Sequence, residues 1–309
     1  MKILLLGRTG QLGAALAPAL ATLGEVVALD RAGLDLAKPA AIPAIVAHHR
    51  PDVIVNAAAY TAVDRAESEA ELAMTINGEA PGALAEAGRR TGAALVHFST
   101  DYVFDGTLDR PYREDDAPHP LNAYGRSKLE GERTVQASGA AALILRTSWL
   151  YGAGGVNFLE TMLRLGRARE ELAVVDDQRG APTTVQVVAD ATAAILAQAK
   201  RDPTRFFGSK GGLCHLACRG ETSWHGFASS IFEEGRRRGL AFAVRTVRPI
   251  PTSGYPTPAR RPANSRLDLG RLKNRFGVEP LDWRAALGTA MDAVARRDGG
   301  GAAPRVQAG

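Results

Sequence analysis

The sequence predicts an α/β fold built on a doubly wound parallel sheet, and three observations carry that prediction. Over the first 150 residues, short apolar runs that suit buried strands alternate with alanine-rich or amphipathic helical stretches. The first run, residues 3–6, enters a loop with glycines at 7, 10 and 13 and then a helical Ala/Leu stretch. Small or polar residues stand at the carboxyl ends of the later runs, where open α/β sheets bind their ligands.

In chain order, the strand 3–6 and the helix that runs to about residue 23 flank Gly7, Gly10 and Gly13. Glycine leaves room where the chain turns tightly and where backbone approaches a diphosphate at a helix amino terminus. A second strand, 26–29, ends at Asp30, whose carboxylate suits the hydroxyls of an adenosine ribose. This order of strand, glycine loop, helix, strand and acid defines a Rossmann-type dinucleotide site. Residues 42–49 form a helix and 52–56 a strand, followed by the small-residue loop Ala57-Ala58-Ala59-Tyr60, against which a flat cofactor can lie. Residues 69–91 read as a long helix interrupted near Gly78 and Pro81.

The strand 94–99 delivers Ser99-Thr100-Asp101 to the same edge, residues 122–137 form a helix, and the strand 143–146 ends at Thr147-Ser148-Trp149. Beyond it the pattern is less regular. A helix at 157–168 and a strand at 173–175 precede a turn at 180–183 that caps a helix to about residue 199. Residues 213–217 suit a late strand of the main sheet, 222–239 a helix and 242–244 a short strand. The proline-rich stretch 249–262 can be neither helix nor central strand, which leaves an ordered loop around a ligand or a linker. The expected organisation is a dinucleotide-binding domain at 1–150, with returns near 181–220. A smaller α/β substrate-binding domain takes 151–180 and 221–297, and a disordered Gly/Ala-rich tail takes 298–309.

Tyr124 and Lys128 are four residues apart in the helix 122–137, so their side chains share one face, about a turn apart. A cation beside a phenol favours the phenolate, so Lys128 is expected to lower the Tyr124 pKa toward a useful acid/base range. By itself the spacing also describes two neighbours on a surface helix.

Composition excludes several classes. Apolar residues make up 45% and charged residues 23%, as in ordinary globular chains. The formal charge of +5 comes from scattered arginines, as at 236–238, with few aromatics between them to stack bases, so nucleic-acid binding is not expected. The two cysteines, Cys214 and Cys218, lie in an apolar stretch with a lone histidine, which fits a reduced compartment better than a metal site. The apolar run after Lys2 is too short for a signal peptide, and no stretch approaches the roughly 20 residues that span a bilayer. A cytoplasmic protein without membrane contact is expected.

Together, G-x-x-G-x-x-G at Gly7, Gly10 and Gly13, Ser99-Thr100-Asp101 and the Tyr124/Lys128 pair resemble the extended short-chain dehydrogenase/reductases. Within these the chain is similar to the dTDP-4-dehydrorhamnose reductase family over residues 1 to about 297. The most specific stretches are 55–64, 99–104, 146–149, 180–183 and the rare Y-P-T-P-A-x-R-P-x-N-S pattern at 255–265. The resemblance implies an oxidoreductase that uses NADPH or NADH to reduce the C4 ketone of dTDP-4-dehydro-L-rhamnose, the last step of dTDP-L-rhamnose synthesis. It implies that Gly10, Gln11 and Leu12 hold the diphosphate and Asp30 the ribose, with Asp35 and Leu36 by the adenine. Ala59, Tyr60, Thr61 and Phe98 would line the cofactor cleft, Thr100, Asp101 and Tyr102 would meet the sugar, and Trp149 would pack against it. Tyr124 would be the general acid, Lys128 would bind the nicotinamide ribose, and Thr100 would orient the ketone.

Two departures stand out. Ala15 and Gln186 occupy positions where some members carry acids around a metal, so no metal and at most a weak homodimer are expected. Tyr60 stands where the family commonly has His. The rival readings are a nucleotide-sugar epimerase or dehydratase, which recycles its NAD, and a non-catalytic regulatory subunit of the kind found beside methionine adenosyltransferase. Retention of Thr100, Tyr124 and Lys128 favours catalysis.

Overall fold

The computed structural model describes residues 1–299. Its first half alternates strand and helix as β1 (Lys2–Leu6), α1 (Gln11–Ala21), β2 (Glu25–Leu29), α2 (Ile42–His49), β3 (Val53–Asn56), α3 (Ala70–Met74), α4 (Ala80–Thr91), β4 (Ala94–Thr100), α5 (Ala123–Ala137) and β5 (Ala142–Thr147). The second half holds β6 (Leu150–Tyr151), α6 (Phe158–Ala168), β7 (Glu171–Val175), β8 (Arg179–Gly180), β9 (Thr183–Thr184), α7 (Val185–Ala199), α8 (Pro203–Lys210) and β10 (Gly212–His215). It closes with β11 (Thr222–Ser223), α9 (Trp224–Arg237), β12 (Thr246–Ile250), α10 (Gly270–Phe276) and α11 (Trp283–Gly299).

Six strands form one parallel sheet in the order β10-β5-β4-β3-β1-β2. Both faces are apolar because successive side chains point to opposite sides of a strand. Ile3, Leu5, Val53, Val55 and Val96 pack on one face under α1 and α7, and Leu4, Leu6, Ile54 and Leu95 pack on the other under α2 and α4. The chain turns in opposite directions on leaving β1 and β3, so a crevice opens at their carboxyl ends. A separate core gathers α6, α9 and α11 around Phe227, Phe232 and Trp283, with the small parallel pair β7 and β12.

Several expectations need correction. The interruption of the helix 69–91 near Gly78 and Pro81 takes the form of a π turn, Thr75–Glu79, that contains Gly78 and joins α3 to α4, with Pro81 in the first turn of α4. The strand expected at 242–244 lies instead at Thr246–Ile250, and Phe242 packs edge-on to Phe232. Pro249 is tolerated there because β12 is an edge strand. The helix expected at 222–239 starts only at Trp224, since Thr222 and Ser223 pair with β8. The helix after 180–183 is capped by Thr184 and not by the turn itself. Asp298 belongs to α11, where Arg167 and Arg297 bind its carboxylate; the expected tail beyond 299 lies outside the described residues.

Candidate active site

One side of the crevice is made by backbone. Gly7 has φ +82°, and a Cβ there would stand 2.7 Å from Ala58 N. A Cβ on Gly13 would lie 2.0 Å from Gly7 O, so the loop needs glycine at both positions to lie flat against α1 and β3. Gly10 caps α1 without a side-chain hydrogen bond and no acid stands in the first turn, so the helix amino terminus is open to an anion. Gln11 is engaged with the loop before α6: its Nε2 donates to Val156 O at 3.0 Å and its Oε1 accepts from Asn157 Nδ2 at 2.8 Å.

Asp30 accepts from the N–H groups of Ala32 and Gly33 at 3.1 and 3.2 Å, and Arg8 stands 3.3 Å away. Gly33 first, then Arg8, hold the carboxyl below the usual range. Arg31, the other guanidinium near this end, pairs with Asp35 at 3.3 Å. Tyr60 is fixed from both sides by Asn77, whose Oδ1 accepts from Tyr60 N at 2.8 Å and whose Nδ2 donates to Tyr60 O at 2.9 Å. Asn77 Nδ2 also reaches Ser127 Oγ at 3.1 Å, so this residue of the π turn ties the loop that carries Tyr60 to α5. The Tyr60 hydroxyl donates to Glu69 at 2.6 Å, which raises its pKa.

On α5, Asn122 caps the helix by accepting from Gly125 N at 2.7 Å and donates to Arg260 O at 2.7 Å. The Tyr124–Lys128 pair lines one cavity with Thr100, but its electrostatics differ from expectation. Lys128 is 2% exposed, and its Nζ donates to Phe98 O at 2.5 Å and lies 3.3 Å from His97 Nε2. The Tyr124 phenol is not lowered: burial pushes it up to about 12, with Thr100 drawing it part of the way back. Burial also lowers Lys128 to about 8, with Glu132 acting in the other direction. Behind them, Glu132 binds Arg146 at 2.6 Å and accepts from Ser99 Oγ at 2.5 Å, which anchors the strand end that carries Thr100.

The opposite wall is Trp149, held at φ +48° and stacked on Trp224 with ring centroids 3.6 Å apart. Trp224 Nε1 donates to Gln178 Oε1 at 3.1 Å, and Gly180 leaves the space that the Trp149 ring fills. Tyr102 meets Tyr124 edge-on at 5.7 Å. Asp101 is 2% exposed, and burial raises its carboxyl to about 7 against the pull of Ser265 and Thr100. Asp101 Oδ2, Thr147 Oγ1 and Ser148 Oγ are buried without a partner among the described residues, and all three residues face the cavity. The proline-rich stretch is an ordered loop: Asp64 accepts from Ala259 N at 3.2 Å and pairs with Arg261 at 2.9 Å.

One cavity of about 730 Å³ joins the two walls, and every candidate named from the sequence lines it except Gly13, which acts through the packing of Gly7. Residues missed by sequence reasoning are His97, Asn77, Ser127, Asn157 and Trp224. A histidine inside an apolar strand and an asparagine inside a helix were the available signals. Ala15 and Gln186 line a second cavity of about 570 Å³ beside α7, where Gln186 donates to Asp190 at 2.7 Å. Among the described residues, no helix is long and apolar enough to cross a membrane.

A glycine-cradled cleft at the sheet switch point, joined to a Thr-Tyr-Lys cluster, defines a dinucleotide-dependent short-chain dehydrogenase/reductase. The family model described as RmlD substrate binding domain matches residues 1–296. A dTDP-4-dehydrorhamnose reductase of Burkholderia thailandensis is 53% identical over 291 residues, 93% of this chain and 97% of the relative. Crystal structures of dTDP-4-dehydrorhamnose reductases from Clostridium acetobutylicum and, in complex with NADP, from Bacillus anthracis superpose with TM-scores of 0.87 and 0.85. Their identities are 37% and 34%, covering 95% and 94% of this chain and 99% of each structure. The chain belongs to the dTDP-4-dehydrorhamnose reductase family.

Proposed function

We propose that the protein reduces the C4 ketone of dTDP-4-dehydro-L-rhamnose to the alcohol of dTDP-L-rhamnose, with NADPH or NADH as co-substrate. The observation that carries this reading is the continuity of the glycine-cradled crevice with the cluster of Thr100, Tyr124 and Lys128 in one cavity, in a chain of this family. The fit to a dinucleotide rests on the missing Cβ atoms of Gly7 and Gly13 and on the uncapped amino terminus of α1. When bound, the dihydronicotinamide supplies the hydride.

Tyr124 donates its phenolic proton to the oxygen that becomes the C4 alcohol. Burial raises its pKa, so the phenol carries the proton it has to give across the neutral range. Thr100 donates a second hydrogen bond that holds the carbonyl in line, and Lys128, anchored on Phe98 O, binds the ribose and supports the phenolate left behind. Gly7, Gly10, Gln11, Leu12 and Gly13 form the diphosphate cradle, Asp30, Asp35 and Leu36 take the adenosine end, and Ala59, Tyr60, Thr61 and Phe98 line the middle. Asp101, Tyr102 and Trp149 meet the sugar. Positioning contributes several kcal/mol of barrier lowering, and acid catalysis about 10²- to 10⁴-fold in rate.

By this reading residues 1–150 with 181–220 serve the cofactor, and 151–180 with 221–297 the nucleotide sugar. Two free, buried thiols support a reducing, cytoplasmic setting. A monomer or weak homodimer follows from Ala15 and Gln186, and sedimentation at rising concentration tests it. Incubating the purified protein with dTDP-4-dehydro-L-rhamnose and NADPH tests the reaction itself. One oxidised cofactor released per product formed is the expected result. Turnover without net cofactor oxidation would instead mark an epimerase, and no turnover a regulatory subunit.

A further inference from the structure

Behind the Tyr124–Lys128 pair lies a buried chain of side chains for which the mechanism above has no use. Asn56 ends β3 and His97 lies beside it on β4, in register. Both are 1% exposed. Asn56 Nδ2 lies 3.1 Å from His97 Nδ1, and His97 Nε2 lies 3.3 Å from Lys128 Nζ. The Asn56 amide has its orientation set by a third contact, because its Oδ1 accepts from Ala58 N at 3.2 Å in the loop that meets Gly7.

These contacts constrain where the protons sit. With Asn56 Oδ1 committed to Ala58, the amide NH₂ faces His97 and makes Nδ1 an acceptor. A neutral imidazole carries a hydrogen on only one nitrogen, so Nε2 holds it and presents it to Lys128. An ammonium has three donors and no lone pair, whereas a neutral amine can accept from Nε2 while donating to Phe98 O. When Lys128 takes up a proton, the contact with Nε2–H becomes donor against donor. The ring proton must then move to Nδ1, and the Asn56 amide must turn over to accept it, which breaks the bond to Ala58 N.

We propose that His97 is a positioning residue whose tautomer, set by Asn56, is linked to the protonation state of Lys128 and through Ala58 to the cofactor loop. The proton count balances: Lys128 gains one proton from solvent, and the ring keeps one, exchanged from Nε2 to Nδ1. His97 itself stays neutral, since burial and then the Lys128 charge hold its pKa well below the ordinary value. The depressed Lys128 value of about 8 places the exchange within reach of physiological pH. The other titratable groups around Lys128 are Tyr124 and Glu132 on its own helix. Glu132 is bound by Arg146 from β5, and β3 and the π turn contribute the neutral amides of Asn56 and Asn77.

This inference rests on the functional reading only for its kinetic arm. The primary experiment is nitrogen NMR of the full chain labelled at histidine, with His97 assigned by comparison with His97→Asn, from about pH 6 to about pH 10. The expected result is a neutral Nε2–H ring at high pH that passes to a neutral Nδ1–H ring as pH falls, with a midpoint within about one unit of 8. Lys128→Met should abolish the exchange and leave the Nε2–H ring throughout. Asn56→Asp, whose carboxylate accepts from Nδ1–H, should hold the Nδ1–H ring at every pH and move the Lys128 limb of the kcat profile up by at least about one unit.

An Nδ1–H ring at high pH, one tautomer throughout, or an exchange that survives Lys128→Met overturns the proposal, and these readings stand even if Asn56→Asp does not fold. A protein inert toward dTDP-4-dehydro-L-rhamnose that still shows the exchange overturns the functional reading alone. An active one with a fixed tautomer overturns this inference alone.

Discussion

Arg8 Nη2 lies 3.3 Å from Asp30 Oδ2 in the crevice, so with the adenosine placed as proposed, attraction and repulsion for a 2′-phosphate stand side by side. The carboxylate suits the free 2′-hydroxyl of NADH, while the guanidinium suits the phosphate of NADPH. Both cofactors should therefore be used, with less than about a hundredfold preference in kcat/KM. Asp30→Ala should shift the ratio toward NADPH and Arg8→Ala toward NADH. A ratio that moves in neither variant would place the selectivity elsewhere.

Tyr124→Phe should retain cofactor affinity, measured by fluorescence titration, and lose at least about 100-fold in kcat. The phenol contributes the only proton donor assigned to the C4 oxygen apart from Thr100, whose hydroxyl is too weak an acid to replace it. A variant that kept a tenth or more of the wild-type rate would contradict the general-acid role.

Asp101 makes stability depend on pH. Its carboxyl titrates near 7 in the folded chain against an ordinary value of 3.8, because burial favours the neutral form. A raised acid pKa means that the unfolded state loses its proton first, so this group's contribution to stability falls as pH rises from about 4 to about 7. Three units correspond to a loss on the order of 4 kcal/mol. Urea unfolding at pH values below and above this window should show a smaller decline in Asp101→Asn than in the wild type. Equal declines would mean that Asp101 is ionised at no such cost.

Trp224→Ala should raise the KM for the nucleotide sugar by about 3- to 10-fold while changing kcat little, since a stacked aromatic pair is worth roughly 0.5–1.5 kcal/mol beyond its buried area. Trp224 stacks on Trp149 while Tyr124 stands on α5, so its loss is expected to free the Trp149 ring without moving the proton donor. Steady-state kinetics at saturating cofactor measures both constants. A fall in kcat at unchanged KM would refute this division.

Much of the architecture is legible in local sequence. Alternating apolar runs place β1, β3, β4 and β5, the spacing of Gly7, Gly10 and Gly13 predicts the loop, and the interval from Tyr124 to Lys128 puts both on one face of α5. Where local pattern misled, context outweighed it. The prolines of 249–262 suggested a loop or linker, yet β12 takes in Pro249 because only one side of that strand is paired. Gly78 and Pro81 mark where the long helix is interrupted but not how: a π turn there aims Asn77 at the loop that carries Tyr60.

The sequence by itself determined the sheet, the glycine loop and the placing of Tyr124 and Lys128 on one face of a helix, because these depend on periodicity and spacing within one or two adjacent elements. The tertiary structure alone decided their electrostatics and company. It bonded the Lys128 amine to Phe98 O beside His97, buried Tyr124 so that its pKa is raised and not lowered, buried Asp101, stacked Trp224 on Trp149 and docked Arg261 on Asp64. The physical reason is that a pKa depends on desolvation and on charges within a few ångströms. Those neighbours come from strands, helices and loops that are far apart in the chain.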